Sequence, residues 1–470
     1  MSKFEIRGVV EGFYGVPWSM KARKAMLRFL GEHRYNLYIY APKDDELHRR
    51  RWREQYSEEF KKDFAELVAE GLSCGVSVVF AISPGLGVRY SSDSDIETLV
   101  AKLEDIAGTG VRSFAIFYDD IPETLVHEED EEAFGSLAEA QAHFANTVYS
   151  ILKAKVEGLS RFIVCPTQYQ GRKATDYMKT LGEALDGDIS IMWTGPEVCS
   201  ERLSLEDSML AEEAFQRKPL YWDNYPVNDA SMVPELHVGP YEGRDPGIVE
   251  HSEGIVLNPM NQSIASKIAL ASAAEFLNNP TEYDVERSWV SAISEVAPGC
   301  SKEMELFCEY NLLSPIHRDH SRRIVELHHK LNRLVGEKRW VEVQELLSDE
   351  AEMIIQSAET LKEKLSEELS REVGPWLKEF SLWGRLMGKI AELIFSADIT
   401  FETIEEVRDL CDEVESILVD LVRAETITAG VLFRDLSQEV PIRSGDTSGY
   451  SSFLTNFNLL SSLSQDGLSR

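Results

Sequence analysis

The chain of 470 residues carries 81 acidic against 48 basic side chains, a formal net charge of −33. Charge of that sign and size repels phosphate backbones and anionic membrane surfaces, which excludes nucleic acid and membrane as partners. Hydrophobic residues at 43% and aromatics at 9% supply a large globular core.

Over the first 260 residues, short apolar runs of strand length recur at 5–13, 36–41, 77–83, 113–118, 162–166, 189–193, 220–223 and 254–257. Helix-period segments separate them at 19–31, 57–74, 92–106, 135–155, 173–185 and 201–216, and another follows at 263–277. Ser57, Ser92 and Ser263 are the expected N-caps, and Phe60, Phe64, Leu67 and Val68 form an i, i+4, i+7, i+8 stripe. The seventh crossover, 228–250, is rich in Pro and Gly and reads as a long loop. Strand–helix alternation of this length predicts an α/β protein, a closed (β/α)8 TIM-like barrel with its helices outside.

From about Ser288 the pattern turns to helices alone. Leu347, Ala351, Ile354, Ala358, Leu361 and Leu365 form the ladder of a helix packed lengthwise on a neighbour, with breaks expected at Pro315, Gly374-Pro375 and Gly430. The predicted organisation is a catalytic barrel at 1–285, an all-α helical bundle domain at 286–436, and a weakly patterned, mobile Ser-rich tail at 437–470. The bundle reads as a buttress or as a groove beside the site, and as a candidate dimer surface.

The six cysteines, Cys74, Cys165, Cys199, Cys300, Cys308 and Cys411, form no CxxC pair, as expected of reduced thiols. No basic stretch followed by an apolar one opens the sequence, and no run of about 18 apolar residues occurs. A soluble, cytoplasmic protein is the expectation. His317, His320, His328 and His329 lie on a charged helical stretch without a nearby Cys or paired carboxylate, and read as surface histidines instead of metal ligands. No cofactor or metal is expected.

The chemistry is expected at the fourth strand, where Phe114-Ala115-Ile116-Phe117-Tyr118 stops on Asp119 and Asp120. Two adjacent carboxylates push their pKa values apart, which favours one anion and one proton donor. Read alone, Asp119 is as well explained as a helix N-cap and Asp120 as a loop acid. In a barrel the site is built from strand ends, and in this chain each end delivers something polar or aromatic. These include Glu11-Gly12-Phe13-Tyr14, Lys43-Asp44-Asp45, Thr167-Gln168-Tyr169, Thr194, Trp222-Asp223-Asn224, Asn228-Asp229 and Asn258. Carboxylates, amides and aromatic rings without a glycine-rich phosphate loop suit a neutral polyhydroxylated ligand, a sugar. Plainer explanations stand beside this one: Lys43 as an exposed lysine, Trp222 as core, Asn224 and Asn258 as turn formers, Asp44 and Asp45 as loop acids.

Taken together, the segments Gly8-Val9-Val10-Glu11-Gly12-Phe13-Tyr14-Gly15-Val16-Pro17-Trp18, Tyr40-Ala41-Pro42-Lys43-Asp44-Asp45, Tyr118-Asp119-Asp120, Cys165-Pro166-Thr167-Gln168-Tyr169, Trp193-Thr194-Gly195-Pro196, Trp222-Asp223-Asn224 and Leu257-Asn258-Pro259 resemble glycoside hydrolase family 84, the O-GlcNAcases and related bacterial β-N-acetylglucosaminidases. The resemblance spans about residues 5 to 285, and extends more loosely into the helical region. It implies a retaining exo-hydrolase in which the substrate's own 2-acetamido oxygen attacks to form an oxazoline.

In that scheme Asp119 stays ionised, accepts the acetamido N–H and stabilises the growing charge, while Asp120 is the general acid and then base. The same resemblance implies that Gly12 and Lys43 meet the 3-hydroxyl, and that Asp229 and Asn258 hold the 4- and 6-hydroxyls. Asn224 bonds the acetamido group, and Tyr169 and Trp222 close its pocket. The implied substrate is a glycoconjugate or glycoprotein bearing N-acetylglucosamine, including the sugar O-linked to Ser or Thr. Two other readings remain open at this point: a chitinase- or hyaluronidase-like endo-hydrolase, and an inactive sugar-binding scaffold.

Overall fold

The computed structural model describes residues 3–395 and 404–433, so the predicted tail at 437–470 lies outside the described residues. The chain divides into two compact units, one of Met1–Ser231 with Pro240–Ala292, the other of Met232–Gly239 with the described part of Ile293–Arg470.

The first unit is a closed barrel. Its strands are β1 (Ile6–Glu11), β2 (Leu37–Tyr40), β3 (Ser77–Ile82), β4 (Ser113–Phe117), β5 (Arg161–Cys165), β6 (Ile189–Trp193), β7 (Leu220–Asp223) and β8 (Gly254–Leu257). Each pairs in parallel with the next, and β8 closes on β1 with Val9 opposite Leu257. The connecting helices are α1 (Met20–Glu32), α2 (Glu58–Ser73), α3 (Asp93–Ala107), α4 (Glu128–Ala133), α5 (Leu137–Lys155), α6 (Asp176–Ala184), α7 (Leu205–Phe215) and α8 (Ser266–Asn278). The seventh crossover holds just two short 3-10 turns, as its Pro and Gly content predicts.

Serine hydroxyls start many of these helices by accepting from a backbone N–H of the first turn. Ser19, Ser57, Ser92, Ser136 and Ser204 all do so, the last in a reciprocal box with Asp207. Ser263, expected as a cap, is not the cap residue, because α8 begins at Ser266 with Ala265 at its cap position.

Strand side chains alternate strictly between the barrel interior and the helical layer. Val10, Ile39, Ala41, Val79, Ala81, Ala115, Phe117, Ile163, Cys165, Met192, Trp222 and Val256 share one buried interior cluster. The residues between them face outward, as Tyr40 does in meeting Phe60 and Phe64 of α2.

In the second unit, α10 (Ser301–Tyr310), α11 (Arg322–Gly336), α12 (Trp340–Lys364), α13 (Glu367–Phe395) and α14 (Ile404–Val422) follow α9 (Val285–Val296), which runs from one unit into the other. Leu347, Ala351, Ile354, Ala358 and Leu361 of α12 are buried along α13. The break expected at Gly374-Pro375 does not occur, and α13 runs through Pro375. An interior proline costs about 3 kcal/mol, whereas Leu369, Val373, Trp376, Leu377 and Phe380, all buried nearby, each contribute about 1.5–3 kcal/mol. Gly430, the other expected break, lies past the end of α14 but inside a short 3-10 helix, Ala429–Phe433, and a Cβ there would fall 2.1 Å from the Trp383 ring. Buried Glu379 ties the same region together, accepting from Trp383 Nε1, Thr426 Oγ1 and the Thr428 main chain.

Candidate active site

The alternation along each strand decides which side chains reach the barrel mouth. Gly12, Lys43, Asp119, Thr194, Asn224 and Asn258 each lie two residues beyond an interior residue, respectively Val10, Ala41, Phe117, Met192, Trp222 and Val256. All six line one pocket of about 180 Å³ at the C-terminal ends of the strands, together with Tyr14, Asp120, Cys165, Tyr169, Trp222 and Asp229. Every residue assigned a catalytic or binding role from the sequence is therefore on this pocket. The acids of opposite parity go elsewhere. Glu11 faces α1, where both its oxygens bind Arg23 and Tyr38 reaches one of them. Asp223 receives Arg244 through two hydrogen bonds and Tyr241 at 2.6 Å.

Asp119 points into the pocket and is buried. Its Oδ2 accepts from Lys43 Nζ, while its Oδ1 has no hydrogen-bond partner among the described residues. Lys43 is buried too, not exposed on a loop, and its ammonium lies 5.5 Å from the Trp222 ring centre and 5.9 Å from that of Phe117. An acceptor oxygen buried without a donor costs about 1–3 kcal/mol, more when charged, so such an atom calls for a donor from a ligand.

Asp120 would face the helical layer if the strand ran on. Instead its φ is +53°, a left-handed conformation that costs a non-glycine residue roughly 1–2 kcal/mol and turns the chain out of the sheet. The turn brings both neighbouring carboxylates to one pocket. Asp120 accepts from Tyr14 Oη at 2.6 Å and from Tyr169 Oη at 2.8 Å. Burial acts to raise its pKa, yet these two phenols and the charges of Lys43 and Arg49 outweigh it and hold the group below the usual carboxylate range. The residue expected to be protonated is thus held as an anion by its four neighbours. Burial and the adjacent Asp120 push both phenols up, which keeps them hydrogen-bond donors.

On the opposite wall, Asn224 Oδ1 accepts from Trp222 Nε1 at 2.8 Å and from Asn258 Nδ2 at 2.9 Å, and Asn224 Nδ2 donates to the Val198 carbonyl. Asn258 Oδ1 in turn receives the Gly12 N–H at 3.2 Å. Gly12 has to be glycine, since a Cβ would lie 2.4 Å from the Trp222 ring. Asp229 accepts the Tyr14 N–H at 2.8 Å, and burial pushes its carboxyl above its ordinary value. Trp222, read from sequence as either core or site, is both: it packs on Phe117 and lines the pocket.

Sequence reasoning assigned no role to Tyr14, Thr194, Val198 or Arg49. Tyr14 stands inside the first motif and follows an inward glycine by two, so the alternation itself marks it. Arg49 lies in an irregular stretch with no periodicity to read. Among the histidines, His317 is buried with Nδ1 on Ser314 Oγ at 2.9 Å, which corrects its reading as a surface residue. Among the described residues no group of three His, Cys, Asp or Glu side chains is arranged to hold a metal ion. No described helix is long and apolar enough to cross a membrane.

A closed parallel barrel whose mouth gathers three carboxylates, a lysine, amides and aromatic rings places the chain in the (β/α)8 class, with a lining suited to a polyhydroxylated ligand. Comparison with known proteins makes this specific. The family model of beta-N-acetylglucosaminidase matches residues 7–309. The chain is 36% identical to the protein O-GlcNAcases of Rattus norvegicus and Mus musculus over 273 residues, 57% of this chain and 29% of each of theirs. It therefore spans about three tenths of the length of those curated relatives. A mutant of the Thermobaculum terrenum O-GlcNAc hydrolase superposes with a TM-score of 0.88 at 36% identity, covering 93% of this chain and 94% of that one. CpGH84B gives a TM-score of 0.81 at 30% identity, with 93% and 77% covered. The chain belongs to the β-N-acetylglucosaminidase family, glycoside hydrolase family 84, as its motifs led us to expect.

Proposed function

We propose that the protein is a retaining exo-β-N-acetylglucosaminidase that removes terminal N-acetylglucosamine, including the sugar O-linked to Ser or Thr, by substrate-assisted catalysis. The observation that carries this reading is the buried Oδ1 of Asp119, an acceptor without a donor. An acetamido N–H placed there orients the acetyl oxygen towards C1, and the ionised carboxylate, fixed by Lys43, stabilises the charge of the forming oxazoline. Holding nucleophile and electrophile in one molecule gives the reaction its intramolecular advantage.

In this reading Asp120 protonates the leaving oxygen and later takes a proton from water. A sugar in the pocket adds burial, the influence that already raises its pKa, and competes for the Tyr14 and Tyr169 hydroxyls. Gly12 and Lys43 face the 3-hydroxyl, Asp229 and Asn258 the 4- and 6-hydroxyls, and Asn224 the acetamido group beside Tyr169 and Trp222. A pocket of about 180 Å³ suits one ring better than an extended chain, which favours exo over endo cleavage. Six free thiols fit a cytoplasmic setting, and the helical unit is our candidate for a homodimer surface.

Turnover of an aryl β-N-acetylglucosaminide by the pure protein tests the reading. Hydrolysis, with inhibition by a thiazoline mimic of the oxazoline, is expected; binding of the sugar without any turnover would leave a lectin-like scaffold instead.

A further inference from the structure

Arg49 follows β2 and is 8% exposed. A buried guanidinium ordinarily pairs with a carboxylate, because only that offsets its desolvation. Arg49 has another arrangement. Its Nη1 donates to the Tyr14 hydroxyl at 2.6 Å, its Nη2 donates to the main-chain oxygen of Asp120 at 3.0 Å, and its Nε is buried without a partner among the described residues. The Tyr14 hydroxyl, with one lone pair taken by Arg49, has its proton directed to Asp120 Oδ2. One planar fork thus grips the left-handed backbone of Asp120 directly and its carboxylate through a phenol.

The segment that carries Arg49 is itself pinned on both sides. Buried Lys102 of α3 donates to the carbonyls of Leu47, Trp52 and Glu54 at 2.6, 2.9 and 2.7 Å. Next to Arg49, buried His48 bonds the Ala81 carbonyl of β3 at 2.9 Å. So much support for a cation that neutralises no acid directly serves the position of the group it holds.

Building on the proposed function, we infer that Arg49 is a positioning residue for the reaction, holding the Asp120 turn and orienting Tyr14 so that the general acid meets the leaving oxygen. The titratable and charged groups around Asp120 are Tyr14 from the β1 loop, Lys43 and Arg49 from the β2 loop, and Tyr169 from the β5 loop. Asp119 beside it, Cys165 at the end of β5 and Asp229 from the β7 loop share the pocket with it. Of these, Arg49 and Tyr14 hydrogen-bond to Asp120 and to each other but not to Asp119.

The test compares Arg49→Lys, Arg49→Met and Tyr14→Phe with the parent on an alkyl and a dinitrophenyl β-N-acetylglucosaminide, with kcat/KM followed against pH. Lysine keeps the charge but cannot span both acceptors. All three variants are expected to lose roughly tenfold or more on the alkyl substrate, part of the 10²–10⁴-fold that general acid catalysis supplies, and less than about threefold on the dinitrophenyl one. The falling limb of kcat/KM should move to higher pH in Arg49→Met and Tyr14→Phe, because each loses an influence that lowers the pKa of the acid. Equal losses on both substrates, or no loss, in the variants that fold would overturn the inference. If Asp120→Asn discriminates between leaving groups while the Arg49 and Tyr14 variants do not, the positioning role alone fails. If Asp120→Asn does not discriminate, the proposed function fails with it.

Discussion

Asp119 and Asp120 are neighbours in sequence with different surroundings, and the difference follows from strand geometry. Asp119 continues the inward alternation Ala115, Phe117 and meets Lys43; Asp120 breaks it through a positive φ and meets two tyrosines. Asp119→Asn offers an N–H or a neutral oxygen where an anion is needed, and a loss of about 2.7–4 kcal/mol of transition-state stabilisation is expected, as for removal of one preorganised electrostatic group. That is roughly 10²–10³ in kcat on any leaving group, read by steady-state kinetics. Tyr169→Phe removes the donor to Asp120 Oδ1, one of the influences lowering its pKa. A general acid works while protonated, so activity falls as pH rises through its pKa. Raising that pKa shifts the falling limb of kcat/KM upward, and an unmoved limb would contradict the assignment.

At the scale of the element, the strands were legible because each is a short apolar run bounded by turn residues, and β6, β7 and β8 end where the run ends. The site residues were legible through the motifs that resemble the family, and the structure supplies the parity behind them, Gly12, Lys43, Asp119, Asn224 and Asn258 each standing two residues on from an inward Val10, Ala41, Phe117, Trp222 or Val256. What could not be read is any contact set by the chain between elements. Arg49 depends on an irregular segment folding back to Tyr14 and Asp120, and α13 keeps its helix at Pro375 through packing that local propensity ignores. Glu11 shows the outward parity in structural use. Arg23→Met strands Glu11 in the barrel wall, both side chains being almost wholly buried, and a loss of about 3–5 kcal/mol in urea unfolding is expected. Adding Glu11→Leu should recover much of it; no recovery would mean that the pair acts through packing alone.

For the whole molecule, the net charge of −33 sets a long-range field that any peptide-borne sugar must cross. A lysine-rich glycopeptide should show a higher kcat/KM than an acidic one of equal length. The ratio should shrink as ionic strength rises from about 0.01 to 0.15 M, over which the screening length falls from about 30 to about 8 Å. A ratio independent of salt would place peptide preference in short-range contacts. In the proposed reaction, however, it is the bound sugar's acetamido group that attacks C1. Replacing the N-acetyl group of an aryl glycoside by mono-, di- and trifluoroacetyl weakens the carbonyl oxygen step by step with little change in size, and kcat/KM measured along that series tests it most directly. A steep, monotonic fall with each fluorine is predicted. Rates that stay level across the series would mean that a side chain or water attacks C1, and would contradict the role of Asp119 as the partner of the acetamido N–H.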